Sequence, residues 1–296
     1  MSTLAQPLPS PARWLRMGMG MAKPGVTAWN VLMAAGGLGL AGVEVRLDTW
    51  LGALAGTTLV VAAANGLNMV IERRSDALMP RTAQRPLATG QLSPTRAVVL
   101  ASLQALLGLA LLYRWANPLT AGLGLAAMVL YVGIYTPMKP HSAWATLPGA
   151  VAGALPPLMG WTAATGRAEL PGLALFALLL AWQIPHVLAI GLLREHEYAR
   201  AGLRVTSMAL GAERTRFWIF VSASATISAS LFLGVPGLVG MLYLGFAAAA
   251  GGALMAVALM GLEREVDPGW SRRMLRLTVA YLPLITLGIL LDRWLG

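Results

Sequence analysis

The sequence predicts an all-α, polytopic integral membrane protein with nine transmembrane helices, and three observations lead to that prediction. The 296 residues are 57% hydrophobic and only 11% charged, whereas a soluble globular domain carries about 25% charged residues. The apolar residues come in blocks, each close to the roughly 20 residues that cross a bilayer as a helix. Finally, the basic residues are concentrated in alternate connections between these blocks.

The nine candidate spans follow one another in a single membrane domain that covers residues 1–296. Residues 1–22 form a comparatively polar tail without the continuous apolar region of a secretory signal peptide, and residues 22–293 form the helical bundle. Gly and Ala dilute the first and fourth spans, as is common where membrane helices pack closely. In chain order the spans are 25–44, 49–71, 97–115, 118–136, 144–163, 170–193, 217–235, 237–261 and 274–293.

The distribution of basic residues predicts the orientation of these helices. With the N-terminus in the cytoplasm, 18 of the 22 Lys and Arg residues lie in cytoplasmic segments and 4 lie on the opposite side. This asymmetry follows the positive-inside rule, and a missed or spurious helix in the middle of the chain would destroy it. We therefore expect a cytoplasmic N-terminus and a C-terminus on the opposite side.

Composition and motifs disfavour several classes of function. A net charge of +10 can indicate nucleic-acid binding, but here the basic residues lie between apolar spans rather than in one domain, so we reject that function. The absence of cysteine excludes disulfides and thiolate metal sites. No Ser/His/Asp arrangement, Walker loop or GxGxxG motif after a strand is visible, and Gly36, Gly37 and Gly39 are better interpreted as a helix-packing surface.

The strongest chemical signal is a polar run at the end of the second span. Asn68, Glu72 and Asp76 recur every four residues, a spacing that places them on one face of a helix. Asn65 lies one turn earlier, at the edge of the same face. Carboxylates at a membrane boundary are costly unless they are paired, hydrated or metal-bound. Hard oxygen ligands of this kind suit Mg²⁺, which binds few carboxylates together with substrate phosphates.

Basic residues near these acids are candidate contacts for the oxygens of a diphosphate. Arg81 and Arg85 follow on the same predicted side of the membrane, and guanidinium groups bind such oxygens in fork geometry. Lys139, at the end of the fourth span, offers a point charge. A structural interpretation stands beside this one, because acids at a helix end also pair with nearby arginines and basic residues also set topology.

A second cluster surrounds the end of the sixth span. His186 lies inside the span, where an ionisable residue is a functional candidate, although a hydrogen bond to a helix carbonyl would also explain it. Pro185 should kink or break the helix. Glu197 lies on the same predicted side as Glu72 and Asp76, so it either completes a second metal locus or is an ordinary juxtamembrane charge.

These motifs resemble the UbiA-type intramembrane prenyltransferases, and within them most of all the protoheme IX farnesyltransferase, or heme O synthase, family. The run 68–87 is similar to that family's first signature, in which Asn and acids at four-residue steps lead to Asp-Ala-x-Met-x-Arg-Thr-x-x-Arg-Pro-Leu. The resemblance extends over about residues 22–293. Further agreeing stretches are Lys23-Pro24, Tyr135-Thr136 with Lys139, Gly149 to Trp161, Pro185-His186 leading to Glu197-Tyr198 and Ala201-Gly202, and Tyr281-Leu282-Pro283 with Asp292.

The resemblance implies nine helices around a central cavity and a bacterial inner-membrane enzyme that transfers a farnesyl group from farnesyl diphosphate to the vinyl group of heme B. It implies Mg²⁺ as cofactor, the lipid bilayer as surroundings, and membrane proteins of the heme pathway or of oxidase assembly as partners. His186 would order or ligate heme. The implied metal ligands are Asn68, Glu72, Asp76 and Glu197, and the implied diphosphate contacts are Arg81, Arg85, Lys139, Arg194 and Arg204.

Departures from the family pattern mark this chain as a diverged member. Glu72 and Glu197 stand where Asp is usual, Arg74 stands where a further acid is common, and Ile184-Pro185 replaces a double proline. One alternative keeps the enzyme class and changes the acceptor to a quinone precursor or another aromatic ring. The others are an ion-coupled transporter and a non-catalytic heme-handling membrane protein, and Arg74 is the feature that favours the latter.

Overall fold

The computed structural model describes residues 11–42, 44–235, 237–263 and 269–295, with side chains from residue 17 onward. Two parts of the sequence-based predictions, residues 1–10 of the N-terminal tail and Arg264 in the charge count, lie outside these residues. The described residues form helices and their connections without a β-strand, as the composition predicts.

The α-helices account for almost all of the regular structure in the described ranges. Their bounds, in chain order, are α1 Pro11–Ala22, α2 Pro24–Leu40, α3 Leu47–Asp76, α4 Pro94–Leu111, α5 Pro118–Met128, α6 Thr136–Met138, α7 Thr146–Thr165, α8 Leu170–Leu193, α9 Glu195–Arg200, α10 Thr206–Leu210, α11 Ala212–Phe232, α12 Met241–Met260 and α13 Trp270–Leu295. Two π-helical segments extend α4 and join α5 to α6, and a 3₁₀ turn precedes α7. These three segments are Leu112–Ala116, Val129–Tyr135 and Ala143–Ala145.

Nine helical stretches lie at the positions of the nine predicted spans. Among the residues that the structure describes, six helices are long and apolar enough to cross a membrane. They are Leu47–Asp76, Pro94–Ala116, Pro118–Met138, Leu170–Leu193, Met241–Met260 and Trp270–Leu295. Helix α2 has only 17 residues, which is short for the hydrocarbon core of a bilayer. The all-α membrane fold is confirmed, and the count of nine crossings stays a prediction.

The long helices form a ring around a central cavity. Helix α2 packs on α3, α7 and α13, while α7 packs on α8 and α8 packs on α11. Helices α12 and α13 pack on each other, and α13 closes the ring by contacting α2 and α8. This order brings α3, α8 and α13, which are far apart in sequence, to the wall of one cavity.

Glycines allow α2 and α7 to approach until their backbones touch. A Cβ on Gly37 would lie 2.0 Å from the carbonyl oxygen of Pro157, and a Cβ on Gly160 would lie 1.9 Å from that of Ala34. On a neighbouring face of α2, a Cβ on Gly36 would lie 3.2 Å from the side-chain Cγ2 of Thr286 on α13. The glycine run of the first span is therefore a packing surface, as its small residues predict.

Of the kink or break expected at Pro185, the break does not occur. Helix α8 continues from Leu170 to Leu193 with Pro185 inside it. Proline removes one backbone hydrogen bond, and α8 packs on α7, α11 and α13. His186 lies inside the continuous helix, and its side chain contacts Thr278 of α13.

Candidate active site at the end of α3

The last three turns of α3 carry a buried polar face. The helix runs five residues beyond the predicted span and so includes both acids. The four polar residues of this face are at most 9% exposed, although they lie at the end of a membrane helix. They are Asn65, Asn68, Glu72 and Asp76. Their burial on one side agrees with the four-residue spacing seen in the sequence.

Both acids of this face are neutralised by basic side chains from other segments. Lys139 Nζ donates to Glu72 Oε1 at 2.9 Å, and Arg85 Nη1 donates to Asp76 Oδ2 at 2.7 Å. The side chain of Glu72 is 10% exposed and that of Asp76 is 2% exposed, so burial of either negative charge would be unfavourable without its basic partner. Asp76 Oδ1 is buried and has no hydrogen-bond partner among the described residues. This oxygen therefore has room for one more donor or cation.

Lys23 is a member of the site that the residue-based prediction did not select. Its Nζ donates to Asn68 Oδ1 at 2.6 Å, and Asn68 Nδ2 in turn donates to Thr136 Oγ1 at 3.1 Å. Burial lowers the pKa of Lys23 to about 7, and the neighbouring charge of Arg85 acts in the same direction. Two sequence signals could have pointed to it: it is one of only two lysines, and Pro24 directly follows it at the start of α2.

The backbone of Lys23 is held in an uncommon conformation. Its φ of 47° is the one positive value at a non-glycine residue in the described ranges. A left-handed conformation costs an ordinary residue about 1–2 kcal/mol, and strain of this kind is concentrated at functional sites. The backbone at Lys23, between α1 and α2, is therefore strained, and the Lys23 side chain donates to Asn68 from this position.

Among the described residues, the hydrogen bonds of this cluster do not include the remaining predicted basic residues or Glu197. Arg81 and Arg204 are exposed, and Arg204 lines a small pocket together with Lys139. Arg194 Nη1 donates to Glu197 Oε1 at 2.8 Å, three residues along the chain. In the described part of the chain no three His, Asp or Glu side chains gather closely enough to hold a metal ion. The role of Glu197 in a second metal locus stays a prediction.

Arg74, the departure that argued against a working site, points away from the cluster. It is exposed, whereas Glu72, two residues earlier, is buried. Two residues correspond to about 200° of rotation on an α-helix of 3.6 residues per turn. The charge of Arg74 therefore lies on the opposite side of α3 and does not compete for a cation at the site.

An apolar cavity of about 310 Å³ lies next to the polar cluster. Asn65 lines this cavity, and Glu72 follows two turns later, about 10 Å along the helix. Three lining residues, Val26 and Trp29 of α2 and Val279 of α13, are also at least 39% exposed. The cavity therefore approaches the polar face of α3 at Asn65, and it opens on its side at α2 and α13.

His186 lies in the wall of the same cavity. Its Nδ1 is 2.9 Å from Thr278 Oγ1, so its partner is a hydroxyl on α13 rather than a helix carbonyl. The imidazole stacks on Trp182, with ring centroids 4.7 Å apart and planes inclined by 18°. Trp182 Nε1 donates to the carbonyl oxygen of Thr278 at 2.8 Å. Two neighbouring rings of α8 are thus oriented by one residue of α13.

The site suits a molecule with a polyanionic head and an apolar body. Three cationic side chains and three hard oxygen donors meet on α3 within about 10 Å of Asn65, and Asn65 lines a cavity whose wall is mostly apolar. In such a place, charge that develops on a departing anion is stabilised, while a reactive cation is kept from bulk water.

Comparisons with known proteins agree with this geometry. The model of the UbiA prenyltransferase family matches residues 27–280. Two proteins named protoheme IX farnesyltransferase, from Anaeromyxobacter sp. (strain Fw109-5) and Anaeromyxobacter dehalogenans (strain 2CP-C), are 43% and 40% identical to this chain. The alignments cover 97% and 98% of both partners, respectively. A UbiA homolog from Archaeoglobus fulgidus, solved bound to GPP and Mg²⁺, superposes with a TM-score of 0.62 at 16% identity, covering 93% of this chain and 99% of that chain.

Proposed function

Because this chain belongs to the UbiA prenyltransferase family, we propose that it transfers a farnesyl group from farnesyl diphosphate to the vinyl group of heme B, which yields heme O. The observation that supports this most directly is the cluster of paired acids and cations on α3, about two helical turns from Asn65 in the wall of an apolar cavity. The acceptor is taken from the two relatives named above, which this chain matches over nearly its full length. Membership in an enzyme family also favours catalysis over ion-coupled transport.

The residues at the end of α3 fit a magnesium ion. Asn68, Glu72 and Asp76 supply hard oxygen ligands, and one oxygen of Asp76 is buried without a partner among the described residues. Two carboxylates and an amide are too few for a complete protein cage, but Mg²⁺ typically takes its remaining ligands from substrate phosphates and water. When bound, Mg²⁺ supplies positive charge to the oxygens of the leaving diphosphate.

The basic residues of the site have a second use once a diphosphate enters. Lys139 and Arg85 now neutralise the two acids, and Lys23 holds the amide oxygen of Asn68. If the three oxygen donors turn to a metal ion, these cations are released toward the diphosphate oxygens. Exchange of partners keeps every buried charge compensated before and after substrate binds, which is the condition for burying charges at all.

The reaction has two parts, the departure of diphosphate and the formation of the new carbon–carbon bond. At the polar cluster on α3, Arg85, Lys139 and Lys23 stabilise the diphosphate as the bond between its oxygen and C1 of the farnesyl group breaks. The terminal vinyl carbon of heme then forms a bond to C1. Water adds to the vinyl carbon next to the porphyrin and loses a proton, so heme B, farnesyl diphosphate and water become heme O, diphosphate and H⁺.

The apolar part of the cavity protects the allylic cation from premature capture by water. Its side opening between α2 and α13 exposes apolar residues, as expected for a cavity that receives greasy molecules from a bilayer. We place the polar cluster on the cytoplasmic side of a bacterial inner membrane, with the N-terminus cytoplasmic. The concentration of basic residues in the connections after α3 and α8 supports this orientation.

The direct test is production of heme O in a bacterial host that lacks its own heme O synthase. Hemes extracted from cells that express this chain are analysed by mass spectrometry. The wild-type chain is expected to produce heme O, and Asp76→Asn and Glu72→Gln are expected to abolish it because each removes a charged ligand from the buried face. Asp48→Asn is the matched control, since it makes the same change at the exposed, opposite end of α3.

Each outcome of that test has a defined meaning. Membrane fractions are probed for the amount of inserted protein, so loss of folding is separated from loss of turnover. Absence of heme O from well-inserted wild-type protein would remove heme B as the acceptor. Heme O that persists in Asp76→Asn and Glu72→Gln would show that the α3 face is not the site of ionisation. In either case the proposal fails.

A further inference from the structure

Three apolar side chains close the cavity at the end that lies away from the polar cluster. Met33 of α2, Leu179 of α8 and Leu282 of α13 line the large cavity, and the same three residues line a second void of about 10 Å³ beyond it. All three side chains are buried, so they belong to the protein interior rather than to a lipid-facing surface. We call these three residues the partition, because they lie between the two spaces.

The order of lining residues along each helix shows that the partition is a layer. On α2 the lining of the large cavity ends at Met33, and the lining of the void continues to Gly36. On α8 the large cavity ends at Leu179, and the void continues to Leu175. On α13 the same change occurs at Leu282. Each of the three helices therefore passes from one space to the other at a single residue.

The partition lies at a depth that suits one length of prenyl chain. Lys23, whose ammonium belongs to the polar cluster, precedes Met33 by ten residues, which places Met33 about 15 Å further along the axis of α2. A protein backbone, with three bonds per residue, advances about 1.2 Å per bond when extended. At that rate the eleven bonds along a farnesyl group span about 13 Å, and the fifteen along a geranylgeranyl group span about 18 Å. The first chain ends at the partition, and the second would have to cross it.

A hydroxyl group holds the most flexible member of the partition in place. Methionine has three rotatable bonds and adapts to irregular gaps, so Met33 could by itself swing out of the layer. Thr286 Oγ1 donates to Met33 Sδ at 3.9 Å, a weak hydrogen bond to sulfur. Thr286 is 1% exposed and carries the one polar side chain among the described residues that line the void. Its hydroxyl therefore fixes the position of the thioether between the two spaces.

We propose that Met33, Leu179 and Leu282 set the upper limit on the length of the prenyl chain that this site accepts, and that Thr286 is a positioning residue for Met33. The inference rests on the proposed function, because it takes the occupant of the large cavity to be an allylic diphosphate. The limit is steric, since the partition closes the space that a further isoprene unit would need. Truncation of one of its side chains joins the two spaces and admits the longer chain.

The experiment measures equilibrium binding of farnesyl and geranylgeranyl thiolodiphosphates, unreactive donor analogues, to the purified full-length chain in lipid nanodiscs with Mg²⁺. One extra methylene in an apolar pocket already changes discrimination about 10–200-fold. The wild-type chain is therefore expected to bind the farnesyl analogue at least about tenfold more tightly than the geranylgeranyl analogue. Met33→Ala and Leu282→Ala should reduce this preference to less than about threefold. Comparing the same ratio between variants cancels the different solubility of the two chains in lipid.

A matched control and a refilled variant separate chain length from general loosening of the core. Leu254→Ala removes an equally buried side chain on α12 that lines neither space, and it should keep the wild-type preference. Thr286→Ile in the Met33→Ala background refills the joined space from its far side, and it should restore the preference for the farnesyl analogue. A Leu254→Ala protein that loses the preference as fully as Met33→Ala would overturn the steric limit.

The positioning role of Thr286 is tested by two single substitutions. Thr286→Val keeps the shape of the side chain and removes the hydroxyl, so the preference for the farnesyl analogue should fall about threefold. Thr286→Ser keeps the hydroxyl and should keep the preference. Equal preferences in the Val and Ser proteins would show that the hydrogen bond to Met33 does not position it.

Turnover with heme B distinguishes the failure of this inference from the failure of the proposed function. Heme O production by a wild-type chain that binds both analogues equally well would overturn the partition while farnesyl transfer stands. Unchanged preference in Met33→Ala and Leu282→Ala would do the same. A wild-type chain that prefers the farnesyl analogue but makes no heme O would support the partition and remove heme B as the acceptor. A chain that binds neither analogue would overturn both.

Discussion

Replacing Gly160 by alanine is expected to separate α2 from α7 and to widen the cavity between them. The added Cβ would lie 1.9 Å from the carbonyl oxygen of Ala34, whereas real Cβ atoms essentially never come closer than 3.0 Å to another atom. The obstacle is backbone, so no side-chain rotation can relieve it. The two helices must therefore move apart by at least 1.1 Å, which is the difference between these two distances.

The size of the effect follows from that displacement. A gap of about 0.5–1 Å already forfeits a quarter to a half of each dispersion contact across an interface, and overpacking of a close-packed interior costs about 1–3 kcal/mol. We expect the upper end, about 3 kcal/mol, because Gly160 and Gly37 contact the partner backbone reciprocally. Met33 and Met159 of the two helices line the cavity, so heme O production should also fall.

The assay is reversible unfolding in detergent micelles, with heme O production measured on the same variants. Gly122→Ala in α5 and Gly252→Ala in α12 are the matched controls, because an added Cβ meets nothing within 4 Å at either position. Alanine is favoured over glycine in a helix interior by about 0.5–1 kcal/mol, so both controls should be neutral or slightly stabilising. Gly37→Ala should behave like Gly160→Ala.

A double variant gives the sharpest test of the geometry. If one separation of α2 from α7 relieves both clashes, Gly37→Ala combined with Gly160→Ala should cost clearly less than the sum of the two single changes. Strict additivity would mean that the two glycines act independently. A Gly160→Ala protein as stable as Gly122→Ala would show that the two backbones do not touch and would refute the packing described above.

Two further predictions concern the charges of the site. Lys23→Met removes the ammonium that binds Asn68, a charged hydrogen bond of about 1.5–3 kcal/mol, and should lower kcat/KM for farnesyl diphosphate roughly tenfold to hundredfold; unchanged kinetics would remove Lys23 from the site. Arg85→Leu leaves buried Asp76 without a partner and should lower the free energy of unfolding by about 3–5 kcal/mol. Arg74→Leu, on the exposed side of the same region, should stay within about 0.5 kcal/mol of the wild type, and equal losses in these two variants would contradict the assignment.

The contacts of the site separate into those that local spacing predicts and those that it does not. The shared face of Asn68, Glu72 and Asp76 follows from a four-residue repeat on one helix, because helix geometry is local. Their partners Lys23 and Lys139 come from 45 and 67 residues away, and no local rule pairs them. This is why the residue-based prediction omitted Lys23, although Lys23-Pro24 was part of the family resemblance.

Two other expectations show the same limit. Glu197 was a candidate second metal ligand because it lies on the same predicted side as the acids of α3; the contact that the structure shows for it is local, to Arg194, and its role at a metal stays a prediction. Arg74 was a possible obstacle to metal binding because it follows Glu72 closely in sequence, yet the turn of the helix takes it to the exposed side. Membership of the same membrane face or the same segment does not establish contact between side chains.

The sequence by itself determined the membrane environment, the all-α class, the family and the helix face that carries the acids. Each of these depends on composition or on periodicity within a short segment, where the free energy of burial in lipid and the geometry of one helix leave little choice. Tertiary structure alone decided which cation neutralises each acid, that α2 and α7 touch through their backbones, and that His186 of α8 contacts Thr278 of α13. Those features depend on how separate helices close around the cavity, and distant packing of this kind leaves no local signature in the chain.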